Sequence, residues 1–209
     1  MEIHAPEHPL RSWTDILLHL GIVTIGILIA LGLEGLLEWQ HHQALAREAR
    51  ENIRNEIRDN REELVSGLRG ILENQKNQYA ALRYINDALA HRKLSGKLEI
   101  GWHLLSILNS SWTTAQALGA LSFMPYAEVK KYAEVYDLQS DFVRLQNEAV
   151  QRTVESIGSI GTSKDPSTMP ANELQTAKGR VEAAIAAGIA EQQLGNGLKQ
   201  AYDEVLKEK

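Results

Sequence analysis

Glu34, Glu38 and His41 stand four and three residues apart, which puts them on one face of an α-helix. The stretch from Glu38 to His41 has the Glu-x-x-His spacing that holds paired metal ions in carboxylate-bridged bundles. Such a centre takes two Glu-x-x-His helices and the chain offers no second one; the nearest pairing, Glu99 with His103, is four apart. Metal binding at Glu34, Glu38 and His41 therefore needs an oligomer whose symmetry supplies the missing copies. The competing reading is a patch of solvated side chains. Nucleophilic and phosphate chemistry find no foothold, because the sequence has no Gly-x-Ser-x-Gly, no Gly-rich phosphate loop and no His-Glu-x-x-His. It also has no cysteine, which removes thiol nucleophiles, thiolate zinc sites, iron–sulfur clusters and disulfides together. No catalytic residue and no cofactor are implied.

A second set of charges is more regular. At ~100° per residue, Arg47, Arg50, Arg54, Arg58 and Arg61 fall within about 80° of one another on a helix. Glu51 and Glu62 answer Arg47 and Arg58 at i, i+4, but Arg50, Arg54 and Arg58 repel one another at that same spacing. Carboxylates on another helix or chain would offset the repulsion, and so would anionic headgroups for the first two. The stripe reads either as a solvated face or as a contact surface, with Arg54 and Arg58 the candidates for helix association.

The element that must position both sets is the run Ile16 to Leu33, apolar except for His19 and Thr24. At ~1.5 Å per residue it covers about 27 Å, close to the roughly 30 Å hydrocarbon core of a bilayer. Trp13 and Trp39 bracket it as interfacial anchors. The run is longer than a signal-peptide core, the first residues lack basic charge and no small-x-small cleavage pattern follows, so an uncleaved anchor is expected. His19, near one end of the run, is either an interfacial imidazole or a helix–helix contact. Gly26 and Ala30 form a small-xxx-small pair that permits close helix approach in lipid, although glycine is also simply common in membrane helices. The expected organisation is a polar tail at 1–12, a transmembrane helix at 13–39 and an extramembrane helical bundle at 40–209.

Helical periodicity continues past the apolar run through Ile53, Ile57, Leu64, Ile71 and Ile85, with Gly67 and Gly70 as the expected place for a bend and His91 to Gly96 as a break. A second helix is predicted over 102–122 with Leu104, Leu105, Leu108, Trp112, Ala115, Leu118 and Leu121 inward, closed by Pro125. A third runs to Ile157 with Val129, Tyr132, Tyr136, Val143, Val150, Val154 and Ile157 on its buried stripe. Residues 158–172 read as a loop, and a fourth helix over 172–206 carries a small-residue face at Ala177, Ala184, Ala187, Gly188 and Ala190. The fold class is all-α: a single transmembrane helix continuing into three or four long antiparallel helices. The aromatic residues Trp102, Trp112, Phe123, Tyr126, Tyr132 and Tyr136 serve either core packing or a small-ligand pocket.

Setting aside the one basic and five acidic residues up to Trp39, the rest of the 209-residue chain carries 21 basic and 22 acidic residues. That balance offers no footprint for nucleic acid. Within about 20 residues of the apolar run, Arg11 stands on one side and Arg47, Arg50 and Arg54 on the other, which places the C-terminal part in the cytoplasm by positive-inside counting; the acids interspersed among these arginines keep the periplasm as the alternative.

GIVTIGILIALGLEGLLEW followed by HHQALAREARENIRNEIRDNREEL, together with SWTTAQALGALSFMPYAEVKKYAEVYDLQ (111–139), resembles a widespread set of bacterial single-pass membrane proteins with no assigned activity. The resemblance implies the inner membrane and carries over no catalytic residue. Those relatives often begin with a basic tail, from which this chain departs. The expectation is a membrane-anchored helical scaffold or assembly module whose partners are the lipid bilayer and a second copy of itself or another membrane protein. The alternatives are a sensory or ligand-binding bundle acting with a partner, and a metal-binding or ion-conducting oligomer.

Overall fold

A computed structural model describes residues 13–94, 99–160 and 166–207. Its elements are α1 (Trp13–Leu89), α2 (Ser110–Ala117), α3 (Tyr126–Ile160) and α4 (Ala171–Lys207), with 3-10 turns at Ala120–Phe123 and Pro166–Thr168. No strand occurs among the described residues. The chain divides into two units, Met1–Glu48 and Ala49–Lys209, with the boundary inside α1. The expected polar tail at 1–12 and the turn residues Ser95 and Gly96 lie outside the described residues.

In the first unit, the large apolar side chains of α1 from Ile16 to Leu37 are all exposed. The two polar interruptions of the run turn back on their own helix. Thr24 Oγ1 donates to the Leu20 carbonyl at 2.7 Å, and His19 Nδ1 lies 2.9 Å from the Asp15 carbonyl, so that nitrogen carries the proton.

The second unit is organised by spacings of three and four. On α4 the buried residues, Ile185 aside, step 174, 177, 181, 184, 188, 191, 195, 198, 202, 205. On α3 they include Tyr132, Val135, Gln139, Phe142, Gln146, Ala149, Thr153, Ser156 and Ile160. This is the seam of a heptad, which packs helices side by side at small crossing angles. The contacts set the directions. Arg50 meets Glu128, Asn60 meets Gln139 and Gln78 meets Thr153, so α1 and α3 run parallel. Arg61 meets Asp203 and Gln75 meets Gly188, so α4 runs opposite to α1. The expected all-antiparallel arrangement is thus corrected, because the connection after α1 returns along the bundle before α3 begins.

That connection replaces most of the predicted second helix. Residues 99–109 are non-helical and lie against α1: a Cβ on Gly67 would come within 2.3 Å of the Leu105 side chain, and one on Gly70 within 2.7 Å of His103. The two glycines lie within the unbroken α1. They open a groove that admits the segment. Leu105 is buried, whereas Leu104, Leu108 and Leu118 are exposed. On α3 the expected stripe is rotated, with Val154 exposed, Val129, Val143, Val150 and Ile157 half-buried, and polar Gln139, Gln146, Thr153 and Ser156 inside.

The break after α1 falls at His91 as expected. His91 adopts φ 52°; its N–H donates to the Ala88 carbonyl at 3.1 Å and that of Arg92 to the Asp87 carbonyl at 2.9 Å. This is a Schellman closure with histidine in the position glycine usually takes. α3 runs three residues further than predicted, to Ile160, and α4 starts at Ala171.

Candidate functional site

Trp13 and Trp39 are both exposed on α1, as are Gly26 and Ala30, and a Cβ on Gly26 would meet nothing within 4 Å. Glu34, Glu38 and His41 are exposed on the same helix. Glu38 faces His42, one turn on, at 3.9 Å, and not His41. Among the described residues no group of three or more His, Asp or Glu side chains is disposed to hold a metal ion.

The arginine stripe of the second unit finds partners within its own chain. Arg50 donates to both Glu128 oxygens, at 2.5 and 2.9 Å, and this hydrogen-bonded charge pair raises the Arg50 pKa and lowers that of Glu128. Arg54 donates to the carbonyls of Val205 at 3.1 Å and Leu206 at 3.3 Å, answering the unpaired carbonyls at the end of α4. Arg61 pairs with Asp203, which Lys199 also holds, and the two cations lower the Asp203 pKa. Among the described residues Arg58 donates locally, to Asn55 Oδ1 at 2.8 Å. At Arg50, Arg54 and Arg61 the repulsion visible along the stripe is thus answered across the bundle by α3 and α4.

A row of buried polar side chains explains how a non-helical segment survives against a helical core. Gln146 accepts from the Leu105 N–H at 2.9 Å and donates to its carbonyl at 3.0 Å. Asn60 makes the same reciprocal pair with Leu108, at 2.9 and 2.7 Å, and Gln139 adds a third bond to the Leu108 carbonyl at 2.8 Å. Tyr202 donates to Gln139 at 2.7 Å. Glu56 accepts from the Ser110 hydroxyl, the Ser111 N–H and the Tyr136 hydroxyl at 2.7–2.8 Å. Burial pushes the Glu56 pKa up, but the hydrogen bonds from Tyr136, Ser111 and Ser110 together outweigh it and hold the carboxyl below its ordinary range. Side-chain amides here supply the pairing that a neighbouring strand would give, so the connection has no orphaned backbone at these points.

One polar layer is not closed in this way. Gln75 donates to the Gly188 carbonyl at 2.8 Å and Gln78 to Thr153 at 3.1 Å. Gln78 Oε1 and Glu191 Oε1 are buried without a hydrogen-bond partner. Gln78 and Glu191 line a cavity of about 20 Å³ among α1, α3 and α4, to whose lining Trp102 and His103 of the connection also belong. Burial alone pushes the Glu191 carboxyl up to about 8.

The aromatic residues do not form one pocket. Tyr132 and Tyr136 are core, Trp112 stacks on Tyr136 with ring centroids 5.2 Å apart, and Trp102 and Tyr126 are exposed. Sequence reasoning passed over Glu56, Asn60, Gln146 and Glu191 because it scored apolar stripes. The available signal was the seven-residue repeat Gln139, Gln146, Thr153 and the place of Glu191 in the three-four alternation of α4. Compared with models of known protein families, with curated proteins and with solved structures, the chain matches none, so its functional reading stands on its own geometry.

Proposed function

We propose that this chain is a membrane-anchored helical module of the bacterial inner membrane, which acts by assembly and not by catalysis. The observation that carries the reading is the contrast along α1. None of its 18-residue apolar window is buried, whereas from Ala49 onward the same helix buries an apolar stripe at Ile53, Ile57, Leu64 and Ile85. Fully exposed apolar surface on every side of a helix has no counterpart in a water-soluble surface helix and is what lipid solvates. The inward-turned Thr24 hydroxyl and His19 nitrogen lower the cost of placing both in or near hydrocarbon. The count of Arg47, Arg50 and Arg54 against Arg11 supports a cytoplasmic second unit.

Assembly runs through the anchor, at the open face of Gly26 and Ala30. Arg50, Arg54 and Arg61 are engaged within the chain and are not needed for it. Mass photometry of the full chain in nanodiscs tests this: an oligomer is expected, weakened by Gly26→Ile and unchanged by Arg54→Lys. A monomer in nanodiscs, or an oligomer indifferent to Gly26→Ile, refutes self-association through this face.

A further inference from the structure

We propose that the cavity among α1, α3 and α4 holds one small monovalent cation, of the class of sodium, potassium or ammonium, between the Glu191 carboxylate and the Gln78 amide oxygen. Three features of the cavity converge on this. Both oxygens are acceptors, both are buried, and neither has a donor. The space of about 20 Å³ admits one water-sized body. No lysine or arginine lines it, so the charge that neutralises Glu191 comes from outside the chain.

Other occupants fit less well. A water molecule would satisfy two acceptors, but glutamine at 191 would serve it equally, without the cost of burying a carboxylate. Glu191 is the one carboxylate among the lining residues, so a divalent ion would leave a net positive charge buried in this layer. A monovalent ion meets both oxygens and cancels the one negative charge. The competitor is the proton. The titratable groups lining the cavity are Glu191 on α4 and His103 on the connection; α1 presents neutral Asn74, Gln75 and Gln78, and α3 neutral Thr153 beside Ala149 and Val150. With the Glu191 carboxyl pushed up to about 8, the cation binds better as the pH rises past that value.

The test is thermal unfolding of the full chain in detergent above that pH, in sodium, potassium, ammonium or N-methylglucamine chloride at equal ionic strength. The structure predicts a melting temperature about 5 °C higher in at least one of the three small cations than in N-methylglucamine, which is too large to enter. Two variants should lose the difference. Glu191→Gln keeps the shape and removes the charge. Gly188→Ala keeps the charge and narrows the space, since its Cβ would sit 3.8 Å from Gln78 Oε1 in ordinary contact. Equal melting temperatures in all four salts overturn the proposal, as does a cation effect that persists in Glu191→Gln.

Discussion

Replacing Gln146 by leucine separates two accounts of the polar residues in this core, because they predict opposite signs. If a buried glutamine in a heptad seam were only a polar defect, leucine would add apolar burial and stabilise by about 1–2 kcal/mol. Among the described residues Gln146 is the one hydrogen-bond partner of both the N–H and the carbonyl of buried Leu105. Leucine leaves both groups orphaned, at about 1–3 kcal/mol each, so the net change is a loss of about 3 kcal/mol and a fall in melting temperature of roughly 5–10 °C. Gln78→Leu, compared in N-methylglucamine chloride so that no small cation enters the cavity it lines, is the control. Among the described residues its Nε2 meets the Thr153 hydroxyl and its Oε1 meets no donor, so leucine there is expected to be neutral or stabilising in that salt. Urea unfolding gives the free energies, and amide exchange at Leu105 should quicken in Gln146→Leu alone. A Gln146→Leu variant as stable as the parent refutes the view that this side chain holds the connection.

Glu56→Gln should lower stability by about 1–3 kcal/mol at neutral pH, because three donors converge on the carboxylate and an amide would turn its own N–H groups towards at least one of them. The Glu56 pKa is lowered in the fold, so its contribution is complete above the ordinary carboxylate range and is lost as pH falls through the folded value. Urea midpoints of parent and variant should therefore differ at about pH 7 and converge as the pH falls below the ordinary carboxylate range. His91→Gly should raise the melting temperature by a few degrees, since φ 52° costs a side chain about 1 kcal/mol and the Schellman bonds are made by the backbone alone. A lower melting temperature would show that the imidazole stabilises the turn.

What could be read in the sequence follows from the range of the forces involved. The apolar run at 16–33, the termination at His91 and the small-residue face of α4 are local patterns, and Ala177, Ala184 and Gly188 are indeed buried. The connection was not legible because Leu104, Leu105 and Leu108 mimic an amphipathic helix. Only Gly67 and Gly70, more than 30 residues earlier, decide that Leu105 lies flat in a groove. The partners of the arginines were equally distant: Glu128 and Asp203 are 78 and 142 residues from Arg50 and Arg61. The sequence showed that the stripe repels itself, and only the tertiary fold showed what answers it. Glu34, Glu38 and His41 share an exposed helix with Glu38 turned to His42, a one-residue choice that helical spacing alone leaves open.

The most direct measurement of the central claim is an alkaline carbonate wash of membranes from cells producing the full chain. Exposed apolar side chains from Ile16 to Leu37 predict that the protein stays in the membrane pellet and is released only by detergent. Release into the carbonate supernatant would contradict the anchor, and with it the assembly that depends on it.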